Sequence, residues 1–330
     1  MTTLHLTHMA ALAHLAPPWH PERPDRIQVI ERCLEQERFA ALVREQAPVA
    51  SEAALARAHD VAYVEATLAG LRDGALPGVD HDTHVSPGTL EAALRSAGAA
   101  VQAVDEVMTG QVRNAFSAMR PPGHHAGRAR TAGFCFFNNV AVAARHAQAV
   151  HGVGRVAILD WDAHHGDGTQ EIFWNDPDVL FCSLHQWPFY PDTGAVSERG
   201  PHDTVVNVPL PAGADGGPFR EGLAAVVLPR ILDFRPDLIL ISAGFDAHWR
   251  DPLADLRLTE ADFRWATEQV MAVADATCTG RIVSLLEGGY DLVGLARSVE
   301  AHVAALIEPA TGRTWEAGEA APAALADAGS

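Results

Sequence analysis

Short apolar runs alternate along this chain with longer segments in which apolar residues recur at helical spacing. The runs contain few polar residues, which is typical of strands buried on both faces of a parallel sheet. Four runs are clear, at 156–159, 179–184, 238–242 and 281–286, and two are weaker, at 115–119 and 204–208. The spacing predicts helices at 25–46, 89–108, 139–151, 217–231, 260–276 and 292–307.

Strands that alternate with helices of this length predict a three-layer α/β fold with a mainly parallel central sheet. No internal repeat or hinge-like linker interrupts the pattern, so we expect one domain over residues 1–310. Residues 311–330 are rich in Ala, Gly and Glu, and we expect them to form a mobile tail. Ligands of such sheets bind beyond the carboxyl ends of the strands, so residues with a chemical role should directly follow strands.

Composition narrows the class of partner. The chain has 330 residues, is 48% hydrophobic and carries a formal net charge of −18, which argues against binding to a nucleic-acid backbone. No apolar run approaches the roughly 20 residues of a membrane span. Residues 1–16 lack the basic start and continuous apolar stretch of a signal peptide. We therefore expect a cytoplasmic protein with neither a membrane nor a nucleic acid as its partner.

The run at 160–168 crowds three carboxylates and two imidazoles behind the predicted strand 156–159. Side chains two residues apart on a strand point to the same face, so Asp160, Asp162 and His164 should converge. Polar groups that converge at a buried strand end are costly unless a cation binds them. A metal ion is the simplest occupant of this place.

Three other polar clusters also follow predicted strands, at 120–126, 243–248 and 287–290. Glycines in each cluster allow tight turns that leave the backbone accessible. Any one of these clusters, taken alone, could be an ordinary loop. Four at the same edge of one sheet predict a functional site there.

These clusters belong to a larger set of motifs: HPERPDR (20–26), RPPGHHA (120–126), GFCFFNN (133–139), LDWDAHHGDGTQ (159–170), SAGFDAH (242–248) and EGGY (287–290). The set resembles the histone deacetylase superfamily, which includes bacterial deacetylase-like amidohydrolases, acetoin-utilisation proteins and acetylpolyamine amidohydrolases. The resemblance extends from about residue 20 to about residue 307. It implies the three-layer arginase/deacetylase-type fold with about eight strands in the sheet.

The resemblance also implies a metal site formed by Asp162, His164 and Asp246. The positions of these residues after strands agree with that implication, since a catalytic metal needs protein ligands and an open position. Two carboxylates and one imidazole form an oxygen-rich set. Zinc is the expected ion, and ferrous iron is compatible with the same ligand types.

By the same resemblance, His125 is the principal general base and acid, and His124 is its electrostatic partner. Asp160 is expected behind His124 and Asp167 behind His125, because a carboxylate fixes the tautomer of a histidine and raises its basicity. The hydroxyl of Tyr290 is implied to polarise the acyl carbonyl and to stabilise the oxyanion.

Substrate contacts and a second ion follow from the resemblance as well. Gly133 and Phe134 correspond to one wall of a narrow tunnel for the substrate. Tyr190 is favoured for the opposing wall, with Phe189 second. Asp82 lies where family members anchor the substrate backbone. Leu253 replaces an acidic residue of polyamine-selective relatives. A structural potassium ion is implied beneath the catalytic metal, near the positions Asp160, Asp162, His164, Ser183 and Leu184.

Together these implications predict metal-assisted hydrolysis that removes acetyl or another short acyl group from acyl-lysine-like amines. An acetylpolyamine deacetylase is the alternative. A ureohydrolase of the arginase kind shares the fold but bridges two manganese ions with further carboxylates, and Gly166 and His248 stand in their places here. A silent acyl-lysine binder is disfavoured because every catalytic position is filled. A homo-oligomer is compatible with the sequence.

Overall fold

The computed structural model describes residues 2–76 and 78–308. Its strands are β1 Thr3–Thr7, β2 Val43–Gln46, β3 Asn114–Ser117, β4 Val156–Asp160, β5 Val179–Gln186, β6 Val205–Leu210, β7 Leu238–Ala243 and β8 Ile282–Leu286. They form one sheet in the order β2-β1-β3-β8-β7-β4-β5-β6, and every neighbouring pair is parallel. The predicted parallel sheet of about eight strands is confirmed. The expected tail at 311–330 lies outside the described residues.

Helices connect the strands and pack in two groups. Their bounds are α1 Ala10–Ala13, α2 Asp25–Leu34, α3 Glu52–Leu55, α4 Val61–Asp73, α5 Thr89–Met108, α6 Asn139–His151, α7 Asp167–Phe173, α8 Gly216–Gly222, α9 Leu228–Phe234, α10 Glu260–Thr277 and α11 Leu292–Ile307. Helix α5 packs against α6, whereas α11 packs against both α2 and α10. Within the described ranges, no helix is both long enough and apolar enough to cross a membrane.

Five of the six inner strands, β3, β8, β7, β4 and β5, are buried along their whole length. Both faces of the sheet are therefore covered, as expected for parallel strands joined by helices. This burial explains why the inner strands could be recognised from continuous apolar runs. It also leaves the strand ends as the places where polar side chains can meet.

The predicted single helix at 25–46 is wrong in its second half. Helix α2 ends at Leu34, a short 3-10 turn covers Glu37–Phe39, and the chain then forms the edge strand β2. Phe39 is fully buried, and β2 pairs with β1. Pairing with a distant strand overrides the helical spacing, and a local pattern contains no information about it.

The predicted helix at 217–231 is longer and less regular than expected. The chain is helical from Gly216 to Phe234, with a π-helical turn at Leu223–Val227 between α8 and α9. Arg235 follows with a left-handed backbone, φ 51°, and ends the helix. The extra residue in the π turn shifts the spacing of apolar positions, so a fixed helical period cannot describe the whole segment.

A buried ionic network fastens the segment before α2 to the end of β3. Glu22 accepts hydrogen bonds from Arg120 and, at 3.1 Å, from Arg26 Nη1, and all three side chains are at most 1% exposed. Arg120 Nη1 also donates to the carbonyls of Ala11 and His14. Burial alone would raise the pKa of Glu22, but the charge and hydrogen bonds of Arg120 lower it to about 2.

Replacing Glu22 by glutamine should destabilise the fold strongly, because two buried guanidinium groups lose their carboxylate. We expect Glu22→Gln to lower the free energy of unfolding by about 3–5 kcal/mol. The depressed pKa means that this carboxylate stabilises the fold fully above pH 4.5, and that the contribution is lost as pH falls towards 2. As the pH falls from 4.5 to 2, the free energy of unfolding of Glu22→Gln should therefore decrease less than that of the wild type.

Urea unfolding at several pH values measures both effects. The control is Glu35→Gln, an exposed carboxylate just after α2, which should behave as the wild type does. Equal stabilities of Glu22→Gln and wild type, or stability curves that run parallel between pH 4.5 and 2, would contradict the assignment.

Candidate metal and active site

The sheet places the four predicted clusters side by side. Strands β3, β8, β7 and β4 are consecutive neighbours, and one polar cluster follows each of them. Their order in the sheet differs from their order in the chain, so the sequence alone does not show which clusters are adjacent. Parallel pairing puts all four carboxyl ends at the same edge, where the ligand crevice of such sheets lies.

Asp162, His164 and Asp246 converge on one point. His164 Nδ1 lies 3.0 Å from Asp162 Oδ1 and 3.0 Å from Asp246 Oδ2. The other oxygen of each carboxylate is bound to backbone, since Asp162 Oδ2 accepts from Gly288 N and Asp246 Oδ1 accepts from Ala163 N. The backbone bonds thus direct Asp162 Oδ1, which also accepts from His164 N at 2.9 Å, and Asp246 Oδ2 towards the imidazole of His164.

The chemistry of these three groups fits a divalent cation. Asp162 and Asp246 are at most 1% exposed, and burial together with the charge of Asp162 raises the pKa of Asp246 to about 6. Two buried carboxylates this close repel each other, and a cation removes that repulsion. Gly288 keeps the adjacent space open, because a Cβ there would lie 2.6 Å from Asp162 Oδ2.

A second group of possible ligands, Asp105, His146 and His151, is organised differently. Asp105 Oδ1 lies 2.7 Å from His146 Nε2 and 2.6 Å from His151 Nε2. Arg57 Nη1 donates to His146 Nδ1 at 2.8 Å, so Nε2 of that ring carries the hydrogen and donates to Asp105. Because this hydrogen occupies the position of a metal, the group is better suited to tying α5 to α6.

His124 and His125 lie in contact, with ring centroids 4.0 Å apart, and each has its own carboxylate. His124 Nδ1 lies 2.9 Å from Asp160 Oδ2, and His125 Nδ1 lies 2.7 Å from Asp167 Oδ1. Burial would lower the pKa of His124, but the charges of Asp160 and its neighbours raise it well above the usual value. Burial, followed by the charge on His124, lowers the pKa of His125 to about 4. The pair therefore combines a charged and a neutral imidazole at neutral pH.

Asp167 also contacts a residue that sequence reasoning did not single out. Arg130 Nη2 donates to Asp167 Oδ2 at 2.7 Å, while the other carboxylate oxygen faces His125. Burial would raise the pKa of Asp167, but the hydrogen bond to His125 and the charge of Arg130 lower it to about 2. Asp167 is thus ionised and oriented when it accepts the hydrogen of His125 Nδ1.

Glu287 joins the histidine loop to the sheet. Its Oε2 accepts from the backbone N–H groups of Gly123, at 2.7 Å, and His124, at 3.2 Å, and Ser242 Oγ donates to Oε1 at 3.1 Å. Burial raises the pKa of this carboxyl to about 7. Its position in EGGY marked Glu287 as part of a motif, but only the fold shows that it positions the histidines.

Tyr290 is held from two sides. Its backbone N–H donates to Asp251 Oδ2 at 2.7 Å, and the guanidinium of Arg26 lies over its ring, 5.0 Å from the centroid. Arg26 Nε also donates to the carbonyl of Gly289. Burial raises the pKa of Tyr290 well above its usual value, so the hydroxyl keeps its proton at neutral pH. Asp251 and Arg26 were not predicted as site residues, although Arg26 lies in the HPERPDR motif.

A cavity of about 590 Å3 opens in front of these groups. His125, His164 and Tyr290 line it, and so do all the predicted substrate contacts: Asp82, Gly133, Phe134, Phe189, Tyr190 and Leu253. Phe189 stacks on His164 with centroids 5.0 Å apart, and Tyr190 meets His125 edge-on at 5.2 Å. Trp19, His20 and Asp80 line the cavity too, and sequence reasoning missed them in that role.

Three of the five positions expected around potassium lie on the adjacent strands β4 and β5: Asp160, Ser183 and Leu184. Ser183, on β5, is in register with Asp160, at the end of β4. His185 Nε2 faces the carbonyl of Gly194, so its Nδ1 is free to accept the hydroxyl hydrogen of Ser183 at 2.9 Å. The lone pairs of Ser183 Oγ consequently remain available for a cation.

Comparisons with known proteins agree with this geometry. The family model "Histone deacetylase domain" matches residues 20–306. The chain is 41% identical to the histone deacetylase-like amidohydrolase of Pseudomonas aeruginosa, over 82% of this chain and 72% of that protein. It is 43% identical to the mouse polyamine deacetylase HDAC10, over 64% of this chain and 33% of that protein. The crystal structure of the HDA15 HD domain superposes with a TM-score of 0.86 and 35% identity, covering 93% of this chain and 89% of that one.

Metal binding should distinguish the two groups of possible ligands. We expect metal-free protein to bind one Zn2+ per chain in isothermal titration, Asp246→Ala to lose that binding, and the matched variant Asp105→Ala to retain it. The reason is that only the first group brings two buried carboxylates together at one imidazole nitrogen, whereas in the second group Nε2–H of His146 points at the single, partly exposed carboxylate of Asp105. Two bound ions per chain, or binding lost in Asp105→Ala and kept in Asp246→Ala, would overturn this assignment.

Proposed function

The chain belongs to the histone deacetylase family and is a hydrolase of that family, and we propose that it removes acetyl or another short acyl group from acyl-lysine-like amines with the help of a divalent metal ion. One observation carries the proposal. His164, the neutral His125 and the hydroxyl-bearing Tyr290 all line one cavity, and the carboxylates of Asp162 and Asp246 lie 3.0 Å from the His164 ring. A metal ligand set, a base and an oxyanion donor are what amide hydrolysis requires.

Asp162, His164 and Asp246 would hold the metal. Zinc is the ion we propose, and ferrous iron is compatible with the same ligands. When bound, such an ion supplies Lewis-acid chemistry, polarising a carbonyl and activating water. The chain already brings one oxygen of each carboxylate and the imidazole nitrogen within 3.0 Å of one another.

His125 would act as the base and then as the acid. Its Nδ1–H is engaged by ionised Asp167, so the lone pair of Nε2 is available to accept a proton from the attacking water. Returning that proton to the leaving amine completes hydrolysis. Charged His124, anchored by Asp160, supports the negative charge that develops during the attack.

Tyr290 would donate its hydroxyl hydrogen to the acyl oxygen as negative charge develops there. The raised pKa keeps the donor protonated, and the contacts with Arg26 and Asp251 fix the ring and the backbone that carry it. A donor held in place before the reaction avoids the cost of reorganisation during it.

The cavity supports an acyl-lysine as the substrate. Phe134, Phe189 and Tyr190 offer aromatic surface to an unbranched methylene stem, and Leu253 adds an apolar side chain. Acetylpolyamine is the second candidate, because the chain resembles a mouse protein named polyamine deacetylase. Leu253 disfavours it, since an apolar residue cannot pair with a distant ammonium group.

A structural potassium ion near Asp160, Asp162, His164, Ser183 and Leu184 is part of the proposal. The buried Ser183 hydroxyl, whose hydrogen is directed to His185, supports it. A monovalent cation there would offset the buried negative charge of Asp160 and Asp162. It would stabilise the site rather than take part in the chemical step.

Removing the hydroxyl of Tyr290 tests the oxyanion role. We expect Tyr290→Phe to cut kcat for an acetyl-lysine peptide by about 10²–10³, with metal content and the free energy of unfolding close to those of the wild type. Tyr63→Phe is the matched control, because Tyr63 donates to the carbonyl of Phe136 outside the cavity. Turnover by Tyr290→Phe equal to that of the wild type would refute the role.

Placing a carboxylate at the cavity wall tests substrate choice. We expect Leu253→Glu to raise kcat/KM for N-acetylspermidine relative to acetyl-lysine peptide, because a glutamate can pair with a second ammonium group. Steady-state kinetics on both substrates with the wild type and the variant measures the ratio. A wild-type enzyme that already prefers the polyamine, or an unchanged ratio in the variant, would contradict the interpretation of Leu253.

A further inference from the structure

The wall of the cavity at Gly133 and Phe134 has an unusual backbone. Both residues are left-handed, with φ of 53° and 70°. Glycine adopts this conformation readily, but a residue with a Cβ such as Phe134 does so at a cost in free energy. Phe134 also packs edge-on against Tyr290, with centroids 6.0 Å apart, so its conformation determines the shape of the cavity beside the acyl group. Something else in the fold must maintain it.

The nearby segment 78–84 supplies acceptors for both amides of this wall. Asp80 Oδ2 accepts from Gly133 N at 2.7 Å, and Thr83 Oγ1 accepts from Phe134 N at 3.0 Å. The carboxylate of Asp80 thus binds the amide of Gly133, and the hydroxyl of Thr83 binds the amide of Phe134.

Asp80 also organises its own segment. Its Oδ1 accepts from the backbone N–H groups of Asp82, at 3.1 Å, and Thr83, at 2.7 Å. One carboxylate thus joins three amides from two distant parts of the chain. The Asp82 carboxylate, by contrast, is 68% exposed and has His81 as its neighbour, so it does not hold the wall.

His20 fastens the same segment from the other side. Glu22 N donates to His20 Nδ1 at 3.1 Å, so Nε2 carries the hydrogen and donates to the carbonyl of Asp82 at 3.0 Å. The His20 ring packs edge-on against Phe134, with centroids 4.8 Å apart. Segment 78–84 is therefore held by His20 on one side, and on the other side its Asp80 contacts the wall.

We propose that Asp80 is a positioning residue that holds the Gly133–Phe134 wall in its left-handed conformation and so sets the fit of the acyl-lysine stem. This inference rests on the proposed function, because it takes the stem to lie against Phe134. Asp80 contacts none of the reacting atoms. It acts through the backbone amides of the wall, and its effect falls on substrate binding rather than on proton transfer.

The kinetic test is Asp80→Ala on the metal-loaded full chain with an acetyl-lysine peptide. We expect KM to rise about tenfold, corresponding to the loss of a hydrogen bond to a charged acceptor, while kcat changes much less. Asp73→Asn removes the same charge from an exposed position at the end of α4 and should leave both constants unchanged.

Phe134→Gly provides a coupling test. With glycine at position 134 the left-handed backbone needs no support, so Asp80→Ala should raise KM less in that background than in the wild type.

Amide hydrogen exchange gives a readout that does not require turnover. The peptide containing Gly133 and Phe134 should exchange faster in Asp80→Ala than in the wild type, and peptides from the inner strands should not. If the wild type hydrolyses the substrate but Asp80→Ala shows neither a raised KM nor faster exchange, the positioning role is wrong. If the wild type shows no hydrolysis, the proposed function fails, and the exchange rate alone still decides whether Asp80 holds the wall. A fall in kcat with unchanged KM and faster exchange throughout the protein would indicate general destabilisation and would overturn the proposal.

Discussion

Four carboxylates crowd the buried carboxyl edge of the sheet, and the rest of the site follows from the need to compensate them. Asp160, Asp162, Asp246 and Glu287 are each at most 1% exposed. Unpaired charges at such depth would destabilise the fold by several kcal/mol each. The chain compensates Asp160 with charged His124 and Glu287 with backbone amides, and leaves one oxygen each of Asp162 and Asp246 directed at His164. Crowded acidic residues on adjacent strand ends thus give a single place for a divalent cation.

Carboxylates outside the metal position have a structural role of their own. Three of them join separate chain segments near the cavity by accepting backbone N–H groups: Asp80 at Gly133, Asp251 at Tyr290, and Glu287 at Gly123 and His124. Loops without regular structure need such acceptors, because their amides have no ladder or helix partners. Part of the acidic composition therefore maintains the shape of the site.

The local sequence indicates site residues where a motif of reactive side chains directly follows a buried strand. Of the three residues predicted to converge after the buried run, Asp162 and His164 lie together, whereas Asp160, the last residue of β4, pairs with His124. The motifs around His125 and Tyr290 marked the other clusters. Prediction from the local sequence failed where a contact joins distant segments. The edge strand Val43–Gln46 exists because it pairs with Thr3–Thr7, and Asp80 matters because the fold brings it to Gly133. Neither contact can be predicted from the periodicity of apolar residues in the local sequence.

We propose that a single divalent ion at Asp162, His164 and Asp246 makes this cavity an amide-hydrolysing site. The most direct measurement follows hydrolysis of an acetyl-lysine peptide while metal-free protein is titrated with Zn2+. We expect the rate of hydrolysis to rise linearly with added ion and to reach its plateau at one equivalent per chain. Absence of hydrolysis at full occupancy, or a plateau reached only at two equivalents, would contradict this proposal.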